Sequence, residues 1–312
     1  EHMFSPERID AAMDAIRKGT MPGESGVSVD LVCTKSWRAL MKKHVSELAI
    51  SCFAAGTLTA RMREAIISVL YKGKGERDLC KSHRPVSLTD ATLRIIDKAM
   101  QMALNKVLPS ILCGINKAFL PGEHIENDTL SMAEAARWCH ANGGGAIACL
   151  DAEKAYDRVH IQFLRQVLQA MRFPPQFIEF VDILYADNWA RLKINGHIGA
   201  AFRQGNGLRQ GLPSSCPFWL LYVEPLVRHL RDDPERRGIT IPGELGHGTA
   251  QLKVAAYADD IKPYCANTKE VRHLAVTTVP LWYKASGQIM SVEKFVVILL
   301  GTSIHEARPN IN

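Results

Sequence analysis

The spacing of apolar residues predicts a helix-rich first part of the chain. In "SPERIDAAMDAIRKG", Ile9, Met13 and Ile16 share one helical face, Ser5 can cap the helix, and Pro6 suits its first turn. "SWRALMKKHVSELAISCFAAG" repeats the helical spacing and ends at a glycine, which predicts a second helix. One side of that helix would be formed by Trp37, Leu40, Met41, His44, Leu48 and Phe53.

Short apolar runs bounded by turn residues predict strands. "REAIISVLYKGKGERD" predicts a strand that leads into a charged turn, and Asn195-Gly196 predicts a hairpin. "QLKVAAYADDIKPYC" predicts a second hairpin with Asp259 and Asp260 at its tip, and "FVVILLG" predicts a final strand. A helix-rich beginning followed by mixed strands and helices favours an α+β fold over a doubly wound sheet.

The amino-acid composition excludes some classes of protein but does not identify the function. The 312 residues carry a net charge of +6, which permits a nucleic-acid partner but also fits solvated lysines. The eight cysteines form no CxxC pair, which argues against a zinc site. No apolar run reaches the roughly 18 residues of a membrane span, and the first residues lack the apolar core of a signal peptide. We therefore expect an intracellular protein without a membrane anchor.

Carboxylates follow or interrupt apolar runs at two places. Asp151 ends the run "AIACLD", and Asp259-Asp260 lie inside "VAAYADDIKPY", where a turn that simply needs polar residues is the alternative. If the two strands pair, carboxylates about 4 Å apart would repel by about 4 kcal/mol at an effective dielectric near 20. A cation between them reverses that sign. Oxygen ligands without His or Cys favour Mg²⁺ or Mn²⁺ over zinc, which suits two-metal phosphoryl transfer.

Six segments together resemble reverse transcriptases, in particular those of LINE-type non-LTR retrotransposons. "AYADD" looks like their YxDD box, "LDAEKAYDRV" resembles the first palm motif, and "GNGLRQGLPSS" resembles "G-x-RQG-x-P-x-S" between them. "YKGKGERDLCKSHRPVSLTD" is similar to the finger segment "PKKG…YRPISL", "NKAFLPGEHIENDTL" to "Q-x-GF-x-PGR-x-I-x-DN", and "IRKGTMPGESGV" to the "KAPGPDG" loop. A YxDD box alone is weak evidence, whereas six segments in the family's order are strong evidence.

The resemblance implies an α+β right-hand polymerase fold of fingers and palm, with an antiparallel palm sheet and packed helices. Residues 1–145 would form the N-terminal region and fingers. Residues 146–312 would form the palm, with a finger insertion around residues 160–203, and the family's thumb is expected to be absent from this segment. The implied activity is RNA-directed DNA polymerisation, with two Mg²⁺ ions or Mn²⁺ as cofactor and with an RNA template, a DNA primer and dNTPs as partners. The oligomeric state is left open.

The resemblance also implies roles for single residues. Asp151 and Asp259 would bind the two metal ions. Asp260, the third catalytic carboxylate, is also a candidate metal ligand, although successive strand side chains diverge. Tyr156, five residues after Asp151, would pack under the sugar and exclude a 2′-hydroxyl, which selects deoxynucleotides. The alternative for Tyr156 is a core aromatic residue at the turn from strand to helix.

Basic and glycine residues in the other motifs match positions that hold the nucleotide. Lys72 and Arg84 would grip the incoming triphosphate, although Lys72 also fits a solvated turn. Gln210 and Gly211 would line the nucleotide and template-base pocket, and Lys294 would lie near the phosphates or else be a solvated lysine. The template groove would be lined by Arg191, Lys193, Arg203 and Arg209.

Several positions depart from the family pattern. Pro263 falls in a strand that should be central, where it removes a backbone donor, and Lys262 is polar where an apolar residue is usual. Glu123 replaces the Arg of "PGR" and so reverses a charge. These departures leave open a catalytically inactive, degenerate relative that only binds nucleic acid. A group II intron or retron reverse transcriptase would share the same site residues.

Overall fold

The computed structural model describes residues 2–120, 122–242, 249–289 and 295–301. These fall into two compact units. One comprises Glu1–Leu108 with Val159–Trp219, and the other comprises Pro109–Arg158 with Leu220–Asn312. The boundary between fingers and palm at residues 145 and 146 remains a prediction.

Helices and strands alternate along most of the chain. The helices are α1 (Pro6–Ala15), α2 (Val29–Val32), α3 (Lys35–Ala54), α4 (Ala60–Arg63), α5 (Ala91–Ile111), α6 (Ile125–Ala141), α7 (Ile161–Ala170), α8 (Pro175–Tyr185), α9 (Ser215–Asp232), α10 (Thr268–His273) and α11 (Val279–Ser286). The strands are β1 (Glu64–Tyr71), β2 (His83–Thr89), β3 (Gly145–Cys149), β4 (Asn188–Ile194), β5 (His197–Gln204), β6 (Ile239–Pro242), β7 (Thr249–Leu252), β8 (Val254–Tyr257), β9 (Asp260–Cys265) and β10 (Val296–Leu300). A π-helical turn, Leu274–Thr278, separates α10 from α11.

Helix α1 confirms the first predicted helix. The side chain of Ser5 accepts a hydrogen bond from the backbone N–H of Arg8, and Pro6 occupies the first turn, where its missing N–H costs nothing. Ile9 and Met13 are fully buried. The helix therefore forms where the caps and the apolar spacing agree.

Helix α3 forms where expected, but the expected apolar side is wrong. Its buried residues are Val45, Ser46, Ala49 and Cys52. Trp37 and Leu40 are 55% and 60% exposed, whereas Phe53 stacks between Phe4 and Phe180. Small side chains let this helix pack closely, and counting large apolar residues alone shifts the expected buried face toward the exposed Trp37 and Leu40.

The first unit contains a four-stranded sheet in the order β2-β1-β4-β5. β1 is parallel to β4, and the other neighbours are antiparallel. Its β4–β5 hairpin turns at Asn195-Gly196, and both residues have positive φ, as a two-residue turn of this kind requires. The hairpin predicted from this dipeptide is confirmed.

The second unit contains a four-stranded antiparallel sheet in the order β10-β3-β9-β8. One face is covered by α6, and the shared core comprises Ala135, Cys139, Ile147, Ile239, Ala255, Tyr264 and Leu300. β6 and β7 form a separate two-stranded sheet. The sheet of the second unit places the ends of β3, β8 and β9, and hence the acidic motifs, next to one another.

Pro263 is accommodated in the central strand β9 by a gap in the ladder. On the β3 side, bridged pairs stop at Ile147 with Tyr264 and resume at Leu150 with Ile261. Proline has no N–H to donate, so the gap falls where the donor is missing. On the other side, Pro263 still pairs with Val254 of β8.

Candidate active site

Strand pairing brings the two acidic motifs to one end of the sheet in the second unit. The antiparallel register joins Ile147 to Tyr264, and a further bridge joins Leu150 to Ile261, with a 2.8 Å hydrogen bond from Leu150 N–H to the Ile261 carbonyl. The same register continued by one residue places Asp151 opposite Asp260. Directly opposed residues on antiparallel strands have Cα atoms about 4.5–5.5 Å apart.

Asp259 lies in the tight turn of the neighbouring hairpin. Tyr257 pairs with Asp260, which leaves Ala258 and Asp259 as a two-residue turn between β8 and β9. Ala258 has φ +57°, a left-handed conformation that costs a residue with a Cβ about 1 kcal/mol or more. Asp151 and Asp259 are half-buried, and Asp260 is exposed. The hairpin predicted around the paired aspartates is confirmed.

Asn116 holds this turn from outside the hairpin. Its Nδ2 donates to the Ala258 carbonyl at 2.9 Å, and its Oδ1 accepts from the Ala258 N–H at 3.0 Å. Asn116 is itself 2% exposed. The strained turn is therefore fixed by two hydrogen bonds from a buried side chain. Asn116 was not among the predicted site residues, although it occupies the first position of the motif "Q-x-GF-x-PGR", where the family has Gln.

A positive charge lies close to this carboxylate cluster. Burial raises the pKa of the Cys149 thiol; Asp260 adds to that increase, and Lys262 opposes it. Burial also raises the pKa of Asp128, again opposed by Lys262 and by Lys117. Lys262 is half-buried and follows Asp260 by two positions on β9, so both residues lie on one side of the strand.

The carboxylates at this end of the sheet are the type of ligand that a hard divalent cation prefers. Magnesium in proteins is usually held by one or two carboxylates together with substrate phosphates and water. Among the residues that the structure describes, no three His, Cys, Asp or Glu side chains form a group able to hold a metal ion. Asp151, Asp259 and Asp260 offer only oxygen ligands, the type that Mg²⁺ and Mn²⁺ prefer, and their assignment as metal ligands remains a prediction.

Lys72 and Arg84 lie in the first unit, at the end of the sheet where β1 and β2 join. Both side chains are exposed, and Lys72 Nζ donates to the Lys81 carbonyl at 2.8 Å. Arg84 pairs across the strands with Leu70. The hydrogen bond from Lys72 to Lys81 joins the two ends of the charged segment that connects β1 to β2.

Gln210 and Gly211 lie against β2 in the same unit. The Gln210 carbonyl accepts from the Ser87 N–H at 2.8 Å. Gly211 has φ +152°, and a Cβ there would lie 2.2 Å from the Ser87 carbonyl oxygen. Only glycine fits this contact, which explains the residue's place in the motif.

Arg209 corrects one expectation. It was expected to line a groove, but it is fully buried, and its guanidinium donates to the carbonyls of Met62, at 3.1 Å, and Arg63. Burial lowers its pKa to about 10. It serves the fold because buried carbonyl groups need donors.

Asp97 is a second buried group that sequence reasoning missed. Its carboxylate is fully buried and accepts from the Ser214 N–H at 2.8 Å and from the Ser214 hydroxyl at 2.6 Å. Burial raises its pKa to about 6, and the bonds to Ser214 moderate the increase. This pair ties α5 to the end of the glycine-rich motif.

The remaining predicted site residues are Tyr156 and Lys294. Tyr156 is half-buried in the turn that follows β3, in the same unit as Asp151. Lys294 lies outside the described residues.

The chain matches one known protein family over most of its length. The family described as reverse transcriptase (RNA-dependent DNA polymerase) matches residues 71–308, most of the chain. This chain belongs to the reverse transcriptase family. Reverse transcriptases generally use divalent metal ions and bind a nucleic-acid template and primer.

Relatives among retrotransposon proteins agree with this assignment. The chain is 30% identical over 265 residues to the transposon TX1 uncharacterized 149 kDa protein of Xenopus laevis, covering 84% of the chain and 20% of the relative. It is 26% identical over 186 residues to the Pol polyprotein of the type-2 retrotransposable element R2DM of Drosophila melanogaster, covering 57% of the chain and 16% of the relative. The expectation of a LINE-type non-LTR reverse transcriptase core is confirmed, and the inactive alternative is not favoured.

Solved structures support the expected fold. The apo telomerase of Candida tropicalis matches with a TM-score of 0.52 at 12% identity, covering 82% of this chain and 49% of the telomerase chain. At that identity the similarity concerns the fold alone. The predicted fingers-and-palm polymerase fold is confirmed.

The chain covers only part of each of these relatives. This reverse transcriptase segment spans 16–21% of the length of the curated relatives that it matches. Within the part of the chain that the structure describes, no helix is long and apolar enough to cross a membrane.

Proposed function

We propose that the chain extends the 3′-hydroxyl of a DNA primer with dNTPs on an RNA template. The proposal rests on one observation. Strand pairing carries Asp151 to the position opposite Asp260, next to the turn that holds Asp259. Carboxylates converging from two motifs repel one another unless a cation joins them, and phosphoryl transfer by two metal ions uses such a pair of ligands.

Asp151 and Asp259 are the proposed ligands of two Mg²⁺ ions, which Mn²⁺ can replace, and Asp260 completes the catalytic carboxylates. When bound, the metal ions lower the barrier to attack by the primer hydroxyl and offset charge on the transferred phosphate. The protein contributes orientation. Asn116 fixes the turn that carries Asp259, and the pairing of β3 with β9 fixes the position of Asp151.

Residues of the other motifs are proposed to bind the nucleotide. Lys72 and Arg84 offset the charge of the triphosphate, and Lys294 binds near the same phosphates. Gln210 and Gly211 line the pocket for the nucleotide and template base. Tyr156 excludes the 2′-hydroxyl and so selects dNTPs over ribonucleotides. Gln210 and Gly211 lie against β2, the strand that carries Arg84, which supports this grouping.

Primer extension on poly(A)–oligo(dT) with Mg²⁺ tests the proposal in the full-length protein. We expect Asp259→Asn to abolish incorporation, because the amide cannot replace a charged metal ligand. Asp232→Asn is the matched control, since Asp232 is exposed and its carboxylate pairs only with the neighbouring Arg231 in the described contacts. Full activity in Asp259→Asn would refute the assignment. Absence of incorporation in the wild type would favour a protein that only binds nucleic acid.

A further inference from the structure

One face of the sheet in the first unit carries an exposed tryptophan among cations. The strand register places Glu64, Trp189 and Arg203 in one row across β1, β4 and β5. Arg191 and Lys193 follow Trp189 at alternate positions of β4, and side chains two apart on a strand share a face. Arg84 lies on the same face, because it pairs with Leu70, which alternates with Glu64 along β1.

The indole of Trp189 is held in place at its polar edge. Nε1–H donates to Asp187 Oδ1 at 3.1 Å. Asp187 is in turn held by an ion pair with Arg63 and by a second with Arg203, whose Nε lies 3.6 Å from Oδ1. Asp187 has φ +47°, so the backbone accepts a left-handed conformation at the residue that directs the indole. The side chain of Trp189 is thereby ordered without being buried.

Trp189 stays 38% exposed, although its only polar atom already has a partner. A tryptophan that merely fills the core would bury its ring face. Here the polar edge is satisfied within the protein, and part of the apolar ring remains accessible. Such an ordered ring can receive a flat apolar group at little cost in side-chain entropy.

The charges around the ring are mainly positive. The side chains of Arg203 and Arg191 are 68% and 40% exposed. Three acidic residues lie nearby, namely Asp187, Glu24 and Glu64. A hydrogen bond with Glu24 raises the pKa of Glu64, as does burial, so Glu64 holds its proton to a higher pH than an ordinary glutamate. Glu24 also ion-pairs with Arg191 at 3.7 Å. Arg84 and Lys193 form no ion pair among the described contacts. Arg191 and Arg203 each pair with one carboxylate but stay exposed enough for phosphates to reach them.

We propose that Trp189 stacks against an unpaired base of a single-stranded nucleic acid whose phosphates contact Arg203, Arg191 and Lys193. Asp187 is the positioning residue for the indole. This proposal for Trp189 rests on the proposed function. If the chain is an RNA-directed DNA polymerase, the single strand on this face is its RNA template. Every base has a flat face, so this contact tolerates any sequence, as copying requires.

Binding of a short single-stranded RNA to the full-length protein, measured by fluorescence anisotropy, tests the contact. We expect Trp189→Ala to weaken binding about tenfold, within the range for one stacked base, and Trp189→Phe to retain most of the affinity. Trp37→Ala is the matched control, because Trp37 is 55% exposed in the same unit but lies on α3. It should leave the affinity unchanged.

Two further measurements separate stacking from charge. Replacing Lys193 or Arg203 with Met should reduce the salt dependence of binding by about 0.7 per contact, whereas Trp189→Ala should leave it unchanged. An RNA backbone without bases should bind the wild type and Trp189→Ala with equal affinity, because it offers the indole no base to stack on. Because the readout is binding, an error here is distinguishable from failure of primer extension.

Three outcomes would overturn the inference. The first is equal RNA affinity of Trp189→Ala, Trp37→Ala and the wild type in a protein that still extends primers. The second is a change of sedimentation in Trp189→Ala without a change in RNA affinity, which would assign the face to protein contacts. The third is absence of RNA binding in the wild type, which would also remove the proposed function.

Discussion

Asn116 forms hydrogen bonds with both the backbone N–H and the carbonyl of Ala258, the residue before Asp259 and Asp260. The two hydrogen bonds measure 2.9 and 3.0 Å, and Ala258 adopts φ +57° between them. An alanine in a left-handed conformation persists only when its surroundings impose that conformation. The side chain of Asn116 therefore determines where the turn carries Asp259.

Replacement of Asn116 should impair the metal site more than the fold. Asn116→Ala removes two hydrogen bonds to the backbone of Ala258, worth about 0.5–1.5 kcal/mol each. We expect weaker Mn²⁺ binding, measured by electron paramagnetic resonance, and slower primer extension. Asn142→Ala is the control, since Asn142 bonds only its own helix end, through the Trp138 carbonyl, in the described contacts. Equal Mn²⁺ affinity in both variants would contradict the prediction.

Lys262 should weaken binding of cations at the carboxylates. Lys262 follows Asp260 by two positions, about 7 Å along the strand. It lowers the pKa of the Cys149 thiol, whereas Asp260 raises it, so both charges are felt at the same place. We expect Lys262→Met to tighten Mn²⁺ binding by about three- to tenfold, because removal of a partly buried positive charge reduces repulsion.

The control for this prediction is Lys269→Met, an equal change of charge at an exposed residue of α10. Lys262→Arg should keep the wild-type affinity. If Lys262→Met and Lys269→Met bind Mn²⁺ equally well, the local repulsion is absent. Titration of Mn²⁺ by its resonance signal reports this directly, without any need for catalysis.

Local signals in the sequence predicted much of the architecture. The capped helix α1 and the hairpin at Asn195-Gly196 follow from residues that act on their own backbone, and both are present. The pairing of β3 with β9 does not follow from local signals. It depends on contacts between residues more than one hundred positions apart. The sequence offered this pairing only as a condition for a metal site, and the resemblance to a family supported it.

The predictions were wrong or incomplete at residues whose burial and partners depend on tertiary packing. Arg209 looked like a surface cation, yet carbonyls distant in sequence surround it. Trp37 looked like a core residue, yet α3 buries its small residues instead. Asn116 and Asp97 carried no local signal for their roles, because the partners of each lie more than one hundred residues further along the chain.

Asp97 should make folding stability depend on pH. Its pKa is about 6 in the folded protein against an ordinary value of 3.8, so the folded state binds more protons between these values. Stability from this group is therefore present below about pH 4 and is lost as the pH rises through 6. The loss is on the order of 3 kcal/mol at most.

Urea unfolding from pH 4 to pH 7.5 measures this effect. The difference in unfolding free energy between the wild type and Asp97→Asn should move against the wild type as the pH rises, because Asn does not ionise. Ser214→Ala should extend the fall to higher pH, since the bonds from Ser214 lower the pKa of Asp97. A difference that is flat or increases with pH would refute the proton uptake assigned to Asp97.

Gly211 should tolerate no side chain, unlike a glycine six residues earlier in the same segment. A Cβ at Gly211 would meet the Ser87 carbonyl oxygen at 2.2 Å, whereas a Cβ at Gly205 would meet nothing within 4 Å. Gly211→Ala must push the motif away from β2, so we expect a loss of about 1–3 kcal/mol in unfolding free energy and a raised KM for dNTPs. Gly205→Ala should change stability by less than about 0.5 kcal/mol and leave KM unaltered. Equal effects of the two substitutions would show that the contact between Gly211 and Ser87 does not hold the motif in place.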